Sequence, residues 1–216
     1  MSKLKKDAAN SSKDRSMSKD RSISAWTAQV VGLLLTGPVL FACVAPYLLI
    51  WGGGALDGAL DGIHSGALIG IFIGGIVLHE ILHGIGWALA GGKRWKEISF
   101  GFQLKSLTPY ATVDGRMETW AYRVGGALPG AVLGLAPWAI SLFVGHAGLH
   151  LFGVVFTVVA VGDAVVLWLL LDVPNTVHVQ DHPERVGCIL VEPDTALQQD
   201  TTLQQGPAHE LQDGGA

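Results

Sequence analysis

Charge is what this chain has least of: Asp, Glu, Lys and Arg make up only 15% of its 216 residues, against about 25% in an average soluble domain. Half of the residues are hydrophobic, so the composition argues against a soluble fold and for one embedded in lipid. Cysteine is nearly absent, with Cys43 in an apolar run and Cys188 in a polar stretch. Two thiols so placed exclude a disulfide framework and a cysteine-based metal site. No large excess of either sign exists, the formal net charge being −4, which gives no footing for nucleic acid. Glycine is the residue in surplus: 29 are present, about twice the usual 7% or so. Small residues let helices approach closely where lipid removes the hydrophobic drive for association.

Four apolar stretches are long enough to cross a bilayer. Trp26–Trp51 is the first, with a tryptophan at each end as an interfacial anchor and Pro38 and Pro46 as kinks. Apolar residues continue to Trp51 after a long charged leader, so the run is read as a span and not as a cleaved signal. The second covers about 63–90, the third about 124–144 and the fourth about 149–171. Glycines at 66, 70 and 74 in the second span and at 126, 130 and 134 in the third form two stripes. Their spacing predicts that these two helices meet along them.

Lys93, Arg94, Lys96, Lys105, Arg116 and Arg123 fall between spans two and three, while the two opposite connectors hold no lysine or arginine. The positive-inside rule then predicts a cell-membrane protein whose middle loop and both termini are cytoplasmic. Within that loop Ile98, Phe100, Phe102 and Leu104 alternate with Ser99, Gly101, Gln103 and Lys105, and Tyr110–Val113 follows a Thr-Pro turn, a β-hairpin pattern. A further strand pair is expected around Asp181–Gly187. Residues 1–24 read as a disordered basic arm, 25–194 as a four-helix membrane domain and 195–216 as a disordered tail. The expected fold class is therefore an all-α membrane protein with a small cytoplasmic hairpin.

Chemistry concentrates in His79-Glu80-Ile81-Leu82-His83 of the second span. Residues four apart share a helix face, so His79 and His83 can offer two imidazoles to one cation with Glu80 beside them. Zinc suits such a set, and an open position on it would carry the attacking water whose proton Glu80 accepts as general base. Ionisable groups in mid-span are costly, roughly 2.5–3.5 kcal/mol for one central charge, and are functional by default. A third ligand has to come from elsewhere, because Leu89 stands where an HExxHxxGxxH pattern would put another histidine. Asp163 is the carboxylate inside the fourth span, and its depth matches that of His83, roughly 12 and 10 Å from the same membrane face at 1.5 Å per residue. His146 and His150 lie towards the opposite face. Asp172 and His178 read as solvated tail residues, and Asp181-His182-Pro183 is the reserve candidate for the ligand.

These residues resemble the intramembrane metalloproteases of the site-2 protease type, and most closely the small membrane proteins grouped as putative zincin peptidases. The resemblance covers about 63–193 and rests on His79–Gly84, on Pro129 in Gly125-Gly126-Ala127-Leu128-Pro129-Gly130, on Gly162-Asp163 and on Asp181-His182-Pro183. It implies a Zn2+ site made by His79, His83 and Asp163, with Glu80 catalytic and a membrane protein or peptide as substrate. The chain departs from site-2 proteases in having no Leu-Asp-Gly downstream of the histidines. Its two copies, Leu56-Asp57-Gly58 and Leu60-Asp61-Gly62, precede them. The competing expectation is a non-catalytic metal-binding protein or a metal transporter using the same ligands. Substrate, regulators and oligomeric state are not legible in the sequence.

Overall fold

The computed structural model describes residues 20–61, 63–103 and 108–191. The expectations for the basic arm before residue 20, for Leu104 and Lys105 in the hairpin turn and for the tail beyond 191 lie outside them. In chain order the elements are strand β1 (Asp20–Ile23), helix α1 (Ala25–Trp51), helix α2 (Ser65–Gly91), strands β2 (Ile98–Gln103), β3 (Thr108–Val113) and β4 (Met117–Glu118), and helix α3 (Thr119–Pro129). A π-helical turn, Gly130–Leu135, joins α3 to α4 (Ala136–Val144). Helices α5 (Ala147–Val159) and α6 (Val161–Leu169) and strands β5 (His178–Asp181) and β6 (Val186–Val191) complete the fold.

Three helical stretches are long and apolar enough to cross a membrane: α1, α2 and the composite Thr119–Val144. Helices α5 and α6 would make a fourth crossing as a pair, although the chain bends by 42° between them. The expected single helix over 149–171 is thus broken, at Ala160. Nothing in the sequence marks the break with proline. Gly130, in the π-helical turn, presses on that point, since a methyl group there would lie 3.0 Å from Ala160 Cβ.

The expected meeting of the two glycine stripes does not occur. Gly70 and Gly74 have no heavy atom within 4 Å of an added Cβ, and Gly66 meets only His64 of its own N-cap. The stripe of the third span faces α5 and α6 instead: Gly126 touches Leu167, Gly130 Ala160, and Gly134 Thr157. Spacing fixes which residues share a face and leaves the partner open. Helices α2 and α3 do pack closely, but through Gly86, about three turns beyond Gly74, and Gly125, next to Gly126.

The hairpin forms in the expected place, with Ile98 opposite Val113 and Gln103 opposite Thr108. The remainder is a second, four-stranded antiparallel sheet in the order β1-β6-β5-β4, which corrects the reading of an otherwise all-α chain. Residues 20–23 pair with Val186–Ile189 and so do not belong to a disordered arm. One sheet thereby gathers the segment before α1, the segment between α2 and α3 and the segment after α6. Arg123 of α3 strengthens the junction by donating to the Leu170 and Val173 carbonyls at the end of α6, where a cation meets the negative end of the helix dipole.

Cys188 of β6 is fully buried in the core under this sheet. Burial, helped by the Asp181 and Asp20 carboxylates, pushes its thiol up to about 12, so it carries no thiolate near neutral pH. In a Cys43→Ser variant, iodoacetamide at pH 8 should leave the native protein unlabelled at Cys188 and modify it fully after denaturation. Prompt labelling of the native protein would contradict the sheet.

Candidate metal centre

Helix α2 turns His79, His83, Gly86 and Trp87 towards α3, since residues three and four apart share a face. All four are buried, whereas Leu89 is 81% exposed on the opposite side. The helix therefore supplies two ligands and no third. Asp163 comes to them from the first turn of α6. The break at Ala160 creates a new helix N-terminus, whose dipole favours a carboxylate there.

Asp163 Oδ2 lies 3.0 Å from His79 Nε2 and Asp163 Oδ1 lies 3.3 Å from His83 Nε2. One ligand atom from each of the three residues falls within 4.8 Å of the others, and theirs is the cluster of potential metal ligands among the described residues. Asp163 Oδ2 is nonetheless a buried acceptor with no aligned donor. A tetrahedral ion with bonds of about 2.0–2.2 Å sets its ligands roughly 3.3–3.6 Å apart, so the two carboxylate–imidazole distances are close to that spacing and the donor set fits zinc in kind. His83 Nδ1 is 3.0 Å from the Gly125 carbonyl. A carbonyl only accepts, so this nitrogen carries the hydrogen and Nε2 presents its lone pair to the cluster.

Glu80 interacts electrostatically with both histidines and with Asp163, and its carboxylate is within hydrogen-bonding reach of the Ala111 amide of β3. The Val113 amide, two residues on, donates to Asp181 Oδ2 at 2.9 Å. Tyr122 Oη of α3 donates to Asp181 Oδ1 at 2.6 Å. Asp181, the reserve candidate for the ligand, is thus engaged in tying hairpin, sheet and α3 together. Its burial raises its carboxyl above the usual range, against the lowering effect of those two donors. Its neighbour His182 caps the following turn through the Glu184 and Arg185 amides. Asp172 pairs with Arg21. His146 caps α5 at Leu149, and His150 is buried between Ser141 and the Tyr47 ring.

Tyr122, Trp87 and Gly125 escape a reading by motif, since aromatic and glycine residues of a span carry no chemical signal. Trp87 stacks on the His83 ring, centroids 5.5 Å apart and planes 19° from parallel, and its indole donates to the Tyr122 carbonyl at 3.4 Å. The glycines explain the fit: an added Cβ would fall 2.5 Å from Gly125 Cα at Gly86 and 2.2 Å from Trp87 at Gly125.

Helices apolar enough to span a membrane thus carry a buried two-histidine, one-carboxylate cluster that could hold a metal ion. A family profile described as putative zincin peptidase matches residues 72–178, from about two turns before His79 to the start of β5. The chain belongs to this family. Neither a curated protein nor a solved structure shows significant similarity to it.

Gly86→Ala should lower the melting temperature in detergent, because backbone cannot yield as a side chain does, with a cost of roughly 1–3 kcal/mol. Gly74→Ala, in open space, should be neutral or stabilising by up to about 1 kcal/mol. Equal effects of the two would refute the α2–α3 contact.

Proposed function

We propose that the protein is a zinc-dependent, membrane-embedded metallopeptidase of the HExxH type that hydrolyses peptide bonds in or near the bilayer. The observation that carries the reading is the convergence of His79 Nε2, His83 Nε2 and the Asp163 carboxylate beside Glu80, inside helices apolar enough to span a membrane. His79, His83 and Asp163 would hold the ion. When bound, it supplies Lewis acidity, which polarises a scissile carbonyl and makes water a competent nucleophile near neutral pH. Glu80 takes the proton of the attacking water and returns it to the departing amine. The Ala111 amide steadies the Glu80 carboxylate for both transfers.

Strand β3 has β2 on one side, and on the other it borders Glu80 and Asp181. An extended substrate segment laid near this edge would bring its backbone to the acid–base group, as in recognition by strand addition. The gathering of three chain segments into one sheet supports four crossings with both termini on one side. Lys93, Arg94, Lys96, Arg116 and Arg123 lie in or beside the connector on that side, which favours the cytoplasm of a cell-membrane protein. On this reading the two histidines would sit within the membrane, as the resemblance to site-2 proteases implies. A transport role would require further ligands leading to both faces, and among the described residues the cluster at Asp163 stands alone.

Purified full-length protein should carry about one zinc per chain, as a single three-residue ligand set implies. His79→Ala and Asp163→Ala should lose it. Glu80→Gln should keep the metal and lose cleavage of transmembrane peptides presented in micelles and read by mass spectrometry. Cleavage undiminished in Glu80→Gln would overturn the assignment of the base.

A further inference from the structure

A helical carbonyl at residue 125 ordinarily accepts from the amide at residue 129. Here residue 129 is proline, which has no amide hydrogen. The next amide along, that of Gly130, bonds the Ala127 carbonyl. Gly125 is thereby left with a buried carbonyl deprived of its ordinary helical donor, and His83 Nδ1 lies 3.0 Å from it.

We propose that Pro129 is a positioning residue for the metal centre: by withholding a helical donor it reserves the Gly125 carbonyl for His83, fixing the hydrogen on Nδ1 and turning Nε2 towards Asp163. The inference rests on the metal-site reading above and adds to it the device that sets the ligand. Three further features belong to the same device. Gly86 lets α2 come close enough to α3 for the imidazole to reach a backbone atom. Trp87 lies flat on the ring and is itself held by the Tyr122 carbonyl, one turn before Gly125 on the same helix. His79 has no such support, its Nδ1 being buried without a partner. With alanine at 129 an amide hydrogen would compete for the carbonyl, and His83 would be free to place its hydrogen on either nitrogen.

Zinc affinity of the full-length protein in detergent, measured by competition with a chelator, tests the proposal. Pro129→Ala should bind at least about tenfold more weakly than wild type, the loss expected when a metal-bound histidine is deprived of its outer partner. Pro137→Ala, which restores an amide in the same composite helix near the start of α4, should bind as wild type does. An unchanged affinity in Pro129→Ala, or an equal loss in Pro137→Ala, overturns the inference while leaving the metal site standing. Wild-type protein that binds no zinc overturns the metal-site reading itself. Nitrogen NMR of zinc-free wild type labelled at histidine, with His83 assigned by its loss in His83→Asn, reads the hydrogen directly and does not depend on how the proline variant folds. Hydrogen on Nδ1 supports the proposal, and hydrogen on Nε2 refutes it.

Discussion

The approach of helix α2 to helix α3 at Gly86 and Gly125 governs the rest of the molecule. Without side chains at these positions the backbones come close enough for His83 to hydrogen-bond a main-chain carbonyl and for Trp87 to fill the space against Gly125. In lipid no hydrophobic force pulls helices together, so small residues and internal hydrogen bonds decide where they meet. Here the meeting point is also the chemical centre. Both histidines leave α2 on the face that the contact buries, and the ring nearer the contact is fixed by it.

Asp163 reaches the same point by a different route. Its helix begins at the break beside Gly130, so the carboxylate occupies a first turn, where exposed amides and the helix dipole favour its charge. The π-helical turn after Pro129 and the bend at Ala160 lie against each other. In this fold the irregular backbone delivers a carbonyl to one imidazole and a carboxylate to both. Asp181 braces the arrangement from the sheet side by holding Tyr122 and the Val113 amide together.

Much of this was legible in the order of residues. The four-residue spacing of His79 and His83 fixes a shared face, and helical rise alone brings Asp163 to their depth. Alternation and a Thr-Pro turn suffice for the hairpin. The four-stranded sheet was not legible beyond its β5–β6 pair, because β1 and β4 are only four and two residues long and the segments that form it are separated by whole spans. The bend at Ala160 lacks a proline to announce it. The glycine stripe at 66, 70 and 74 has helix-contact spacing yet meets no neighbouring helix, while the decisive contact uses Gly86 and Gly125, which stand in no stripe with it. Periodicity describes one helix at a time, and these features arise between helices.

The central claim is that two imidazole nitrogens and one carboxylate grip a single ion. Zinc-edge X-ray absorption on the purified full-length protein addresses it most directly. A first shell of nitrogen and oxygen at about 2.0–2.2 Å, with the outer scattering of two imidazoles, is the predicted result. A shell containing sulfur, or one with a single imidazole, would contradict the account.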